Sequence, residues 1–194
     1  MKKTTVLLLL ATAGGSSAVH AQTSVGIKVG ANLATAAGTN VSEVGNIVTP
    51  HGGLTFNVPI TQDATFSVHP ELLYSQKGYK LKYINNSYLT TRLHYVDVPV
   101  LARMDADGLI FEAGPQVGFL AAASTEQPLG LGEKTKVTGT DGLKRLDVGY
   151  VAGVGFQTGL GPNFGLRYNG GLTKPSLGRN SVFQLYVGYQ FPGR

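Results

Sequence analysis

The segment Thr65–Gly78, TFSVHPELLYSQKG, carries apolar residues at every second position. In an extended chain Phe66, Val68, Pro70, Leu72 and Tyr74 share one face, and Ser67, His69, Glu71, Leu73 and Ser75 share the other. A helix cannot keep alternate residues on one side, so the segment is a strand with two unlike faces. About ten such residues, tilted, is also the length of strand that crosses a bilayer.

Seven further segments alternate in the same way: Val25–Leu33, Gly53–Ile60, Leu93–Arg103, Leu109–Leu120, Leu146–Thr158, Phe164–Leu172 and Val182–Phe191. Their connections fall into two classes. Thr61–Asp63, Asp105–Gly108 and Gly161–Asn163 are short and rich in turn residues. Ala34–Gly52, Gly78–Arg92, Ala121–Arg145 and Thr173–Ser181 are long. An even number of strands with short turns at one end and long loops at the other predicts an all-β fold, an eight-stranded antiparallel up-and-down transmembrane β-barrel. It places the protein in the outer membrane, with periplasmic turns and termini and extracellular long loops. Phe66, Phe111, Phe164 and Phe191 fall at the short-turn end, where they form an aromatic girdle. Tyr74, Tyr79, Tyr83 and Tyr88 fall toward the opposite rim.

The chain is long enough for one such domain, at 194 residues, and its 27 glycines speak against extensive helix. It has no cysteine, which excludes a disulfide framework, a thiolate metal site and a Cys nucleophile. Lys2 and Lys3, the apolar run Val6–Ala13 and Val19-His20-Ala21 predict a signal peptide over residues 1–21, cleaved before Gln22, with the barrel domain over 22–194. Cleavage lowers the formal net charge from +5 to +3, which gives no reason to expect a nucleic-acid partner.

The polar face holds Lys28, Glu71, Asp97, Arg103, Glu112, Asp147 and Arg167. It also holds Gly26, Gly30, Gly114, Gly118, Gly149, Gly153, Gly155 and Gly188. An eight-stranded interior is only just wide enough for side chains, so glycines relieve crowding there. On a solvated outer face they would only weaken the sheet. The charges and glycines are therefore assigned to the lumen and the aliphatic face to lipid. A soluble lipocalin-like carrier, the alternative, would reverse this assignment. Three cations and four acids in a narrow lumen must pair or be hydrated. They are expected to form a salt-bridge network that plugs the barrel; the competing reading is a small ion-conducting barrel.

From Lys77 to Arg92 the chain carries Lys77, Lys80, Lys82 and Arg92 and no acid, and Lys174 and Arg179 add two cations in the last loop. Basic groups near anionic head groups are favourable, so this rim is expected to contact lipopolysaccharide phosphates or other surface polyanions. Catalytic signals are weak. Gly153-Val-Gly155-Phe-Gln-Thr-Gly159 resembles a nucleotide loop but lies within an alternating strand with no helix after it. His51, His69 and His94 are too scattered for a metal site, and no cofactor is expected. His69, Glu71, Ser67 and Ser75 share the lumenal face, out of reach of a lipid substrate. The chain is therefore read as a non-catalytic barrel with a structural or surface-interaction role, against the alternative of an outer-membrane lipid-modifying enzyme.

Several stretches, Gly26–Leu33 (GIKVGANL), Pro70–Gly78 (PELLYSQKG), Tyr95–Val100 (YVDVPV), Ala113–Gly118 (AGPQVG), Leu166–Tyr168 and Gln184–Phe191, resemble in content and order the PorT-like outer-membrane β-barrel family of Gram-negative bacteria. The resemblance covers essentially the whole mature chain. It implies an eight-stranded outer-membrane barrel and little chemistry. The family's named member is associated with export of surface proteins, but no residue here marks that role. The last strand is expected to carry the signal read by the outer-membrane assembly machinery. Gln184, Tyr189 and Phe191 fit it, while Tyr186 stands where glycine is usual and Pro192-Gly193-Arg194 follow the aromatic.

Overall fold

The computed structural model describes residues 23–38, 44–82, 88–130, 133–140, 142–159, 161–175 and 178–192. The expected signal peptide and Tyr83 lie outside them. The described residues form ten strands: β1 (Ser24–Ala37), β2 (Val44–Gly45), β3 (Ile47–Pro59), β4 (Phe66–Lys82), β5 (Tyr88–Ala106), β6 (Leu109–Gly130), β7 (Glu133–Thr138), β8 (Leu146–Gln157), β9 (Pro162–Gly171) and β10 (Arg179–Gln190). Eight of them close a ring in the order β1-β3-β4-β5-β6-β8-β9-β10, all neighbours antiparallel. The seam is β1 on β10, from Gly26 opposite Gln190 to Ala37 opposite Arg179. β2 and β7 stand outside the ring, paired with β4 and β6.

The alternation decides which way each side chain points. Val29, Phe66, Leu166 and Leu185 face outward and are 57%, 49%, 59% and 58% exposed, values that mark a lipid-facing wall rather than a hydrophobic core. Lys28, Glu71, Asp97, Glu112, Asp147 and Arg167 are buried in the lumen. The polar face is thus the inner one, opposite to a lipocalin-like carrier. Phe66, Phe111, Phe164 and Phe191 are outward and exposed at the short-turn end. Phe156 packs against Phe164 with ring centroids 6.0 Å apart, and Tyr189 against Phe191 at 5.1 Å.

Short turns join the strands at that end. Asp107 and Gly108 have φ of 52° and 90° between the paired residues Ala106 and Leu109, the double left-handed geometry whose twist matches a hairpin. The Gly108 amide donates to Asp105 Oδ1 at 2.8 Å. In the β3–β4 turn, hydrogen bonds from Thr61 and Thr65 to the exposed Asp63 carboxylate hold its pKa down to about 2.

The opposite end is uneven. β4, β5 and β6 run 17, 19 and 22 residues, whereas β8, β9 and β10 run 12, 10 and 12. Upper β4, β5 and β6, flanked by β2 and β7, therefore continue as an open sheet on one side of the barrel, about 30 Å along the strands. Much of what the sequence assigns to long loops is strand, because above the hydrocarbon both faces become polar and the alternation fades. A bulge at Ala121, between the His94–Ala122 and Tyr95–Leu120 pairs, also shifts the inward set of β6 by one residue.

This extension corrects two assignments. Lys77 is not a surface loop cation: it continues the inward parity of β4 and is 1% exposed. Tyr79 likewise points inward and is buried rather than lying at a membrane rim.

Candidate functional site

Inward parity brings Lys28 of β1, Glu71 of β4, Glu112 of β6, Arg167 of β9 and Tyr186 of β10 to one level of the lumen. Arg167 lies between the two glutamates. Its Nη1 and Nη2 donate to Glu71 Oε2 and Oε1 at 2.7 and 2.8 Å. Its Nε and Nη2 donate to Glu112, the latter at 2.8 Å to Oε2. The guanidinium thus forks onto both carboxylates, geometry that an ammonium cannot reproduce. Lys28 Nζ donates to Glu71 Oε1 at 2.6 Å, and His69 Nε2 lies 3.2 Å from the same oxygen. Tyr186 sits beneath the cations: Lys28 Nζ is 4.2 Å and the Arg167 guanidinium carbon 4.8 Å from its ring centre. Its hydroxyl donates to Glu112 Oε1 at 3.3 Å.

Glycine makes this level possible. A Cβ on Gly165 or Gly155 would lie 2.7 or 2.8 Å from the Tyr186 hydroxyl, and one on Gly153 would lie 2.7 Å from Arg167 Cγ. Gly153 and Gly155 therefore make room for these side chains within β8, a strand rather than a nucleotide loop.

A second cluster lies toward the extended end. Lys77 Nζ is 3.0 Å from Asp97 Oδ2 and 3.6 Å from Asp147 Oδ2, and 4.5 Å from the Tyr95 ring centre. Asp147 also accepts from Thr173 Oγ1 and Asn180 Nδ2, each at 2.7 Å. Between the clusters Gln184 donates to Asn32 Oδ1 at 2.8 Å, and Asn32 donates to the Gln76 carbonyl at 2.8 Å. Arg103 stands apart, toward the short turns, donating to Gln157 Oε1 at 2.5 Å with Asp105 at 3.9 Å.

The seven lumenal charges read from the sequence are thus divided among three places, and Lys77 joins them as a fourth cation against four acids. Three cations against four acids was the signal that one cation had been left outside. Lys77, His69, Tyr95 and Tyr186 are among the lumenal groups that sequence reasoning did not assign to the network.

Above the second cluster apolar groups gather on the walls of the lumen. Leu93, Tyr95, Leu120 and Ala123 are buried together, and Leu143 packs on them. Ala34, Ile47 and Val182 form a matching cluster on the other wall. Two backbone bonds fix the covering segment: Leu120 N to the Arg145 carbonyl at 2.7 Å, and Lys144 N to the Pro175 carbonyl at 3.0 Å.

The remaining sites are dispersed. Ser75 accepts from Asn32 inside the lumen, and His94 faces outward with Tyr74. No group of three or more His, Cys, Asp or Glu side chains able to hold a metal is found among the described residues. Lys80, Lys82, Lys174 and Arg179 are exposed, and Arg92 pairs with Glu126 on the outer face of the sheet.

Residues 17–175 match the family model described as outer membrane protein beta-barrel domain. No curated protein matches the chain. Among solved structures it is similar to Neisserial surface protein A (NspA), with 14% identity over 86% of this chain and 97% of that one and a TM-score of 0.50. It is also similar to Ail, the attachment invasion locus protein of Yersinia pestis, crystallised with the heparin analogue sucrose octasulfate (14% identity, 88% and 99% covered, TM-score 0.49). A third is OprG from Pseudomonas aeruginosa (11% identity, 87% and 94% covered, TM-score 0.41). At such identities the likeness to NspA bears on the fold alone.

Proposed function

The chain belongs to the outer membrane protein β-barrel domain family, and on that premise we propose that it is a non-catalytic, non-conducting barrel whose work is done by its outer surface. The filled interior carries this reading: four lumenal cations meet four acids, and their side chains are buried. Paired charges that fill a narrow lumen leave no open water-filled path. Ser67, Ser75, His51 and His69 are buried on the lumenal side, away from lipid, which speaks against a lipid-modifying enzyme.

In this proposal the short turns are periplasmic and the open sheet is extracellular, as in barrels with long outer loops. Residues 1–21 act as a cleaved leader. The ordered motifs support a place among the PorT-like proteins, and Gln184, Tyr189 and Phe191 in the last strand present the assembly signal. The basic rim, Lys80, Lys82, Arg92, Lys174 and Arg179, contacts lipopolysaccharide phosphates or another surface polyanion.

Four measurements test the proposal. Protein extracted from membranes should begin at Gln22, change gel mobility on heating, and give no sustained conductance in planar bilayers. A steady ion-selective current would favour the ion-conducting barrel instead. On intact cells, a cysteine placed at Thr135 should react with an impermeant thiol reagent and one at Asp107 should not; the opposite result would invert the orientation.

A further inference from the structure

We propose that the outward face of the open sheet binds the phosphates of lipopolysaccharide from the side, through Lys80, Arg92 and Lys136. This deepens the polyanion reading above and rests on it and on the extracellular placement of the sheet.

The register builds the face row by row. Tyr74, Val96 and Phe119 lie in line across β4, β5 and β6, and all three are outward and exposed. The next row is Gln76, His94 and Ala122. Tyr74 Oη lies 2.7 Å from His94 Nδ1, with ring centres 6.0 Å apart, an amphipathic pair of the kind that marks a hydrocarbon boundary. Above it come Gly78, Arg92, Ser124 and Thr138, then Lys80, Thr90, Glu126 and Lys136. Antiparallel partners share a face, so Lys136 of β7 is aligned with Lys80 of β4 across four strands. Lys80 and Lys136 are exposed, and the Arg92 side chain is 36% exposed. Glu126 is the acid of these rows; it pairs with Arg92 and leaves the face a net positive charge.

The order of rows names the ligand. Going outward, the wall passes from apolar to amphipathic to cationic, as an anionic amphiphile lying against it would require. Each row is about 7 Å further along the strand, or roughly 5 Å in height for a strand tilted near 40°. Arg92 therefore stands at ordinary head-group depth, roughly 5 Å above the aromatic pair. Lys80 and Lys136 stand roughly 10 Å above it, beyond a phospholipid head group and within reach of a taller phosphorylated sugar head group.

The test is titration of the purified, folded barrel in detergent with lipopolysaccharide and with its enzymatically dephosphorylated form. The wild type should prefer the phosphorylated form. The triple variant Lys80→Gln/Arg92→Gln/Lys136→Gln should lose about 100-fold in affinity for it, roughly five-fold per cation near an anionic surface. Lys144→Gln/Arg145→Gln, two exposed cations just before β8 and outside this face, should stay near wild type. The charge-keeping variant Lys80→Arg/Arg92→Lys/Lys136→Arg should retain most of the binding, and the heat-dependent mobility shift verifies that each variant is folded. A triple variant that binds like wild type while phosphate preference persists overturns this face and leaves the polyanion reading standing. A wild type indifferent to dephosphorylation overturns both.

Discussion

Replacing Arg167 with alanine is expected to destabilise the barrel by about 3–5 kcal/mol, the usual cost of removing one member of a buried ionic cluster. The reason is stoichiometric. Arg167 occupies both oxygens of Glu71 and both of Glu112. Without it two carboxylates face one ammonium, that of Lys28, in a lumen closed to bulk water. Arg167→Lys should fall between wild type and alanine, because it restores the charge without the two forks. Neutralising the cluster together (Lys28→Met, Glu71→Gln, Glu112→Gln and Arg167→Met) should recover most of the loss, since no unpaired charge then remains. Denaturant midpoints followed by heat-dependent gel mobility measure all three. An alanine variant as stable as wild type would show that the lumenal charges are hydrated rather than paired.

Tyr186→Ala should cost a similar amount, about 3–5 kcal/mol, for a different reason. The ring fills the space left by two glycines, and its removal leaves a cavity under two cations. Tyr186→Phe keeps the ring and loses one long hydrogen bond to Glu112, so it should cost only about 1 kcal/mol. If the phenylalanine variant were as unstable as the alanine one, the hydroxyl rather than the ring would be the important group.

The same tyrosine illustrates how far residue pattern reaches. Read as part of a strand-end signal, Tyr186 departs from the expected glycine. Within the barrel it lies over Gly165 and Gly155 of the two neighbouring strands, a relation between β10, β9 and β8 that no single-strand pattern contains. The strands themselves were legible because one face meets lipid and the other does not, so alternation is enforced at every crossing. That enforcement ends above the hydrocarbon. Gln76 and Lys80 then share the outward face with Tyr74, the contrast vanishes, and Lys77 and Tyr79 read as loop although they point into the lumen. The bulge at Ala121 hides the upper half of β6 in the same way. Lys28, Glu71, Glu112 and Arg167 could be assigned to the interior from parity and the glycines that share their face. Which of them meet depends on how far each strand is shifted against its neighbour, and a pattern within one strand carries no such offset.

The seam has a further meaning in time. Lys28 lies on the first strand of the ring and Tyr186 on the last, and β1 and β10 become neighbours only when the sheet closes. Until then β1 keeps an open edge, and Lys28 lacks the ring on which it rests. Circularisation and completion of the interior are therefore a single event, so a half-zipped sheet is not a resting stage. The barrel should form and come apart as one cooperative unit, with its slow step set by bringing together strands separated by nearly the whole length of the domain.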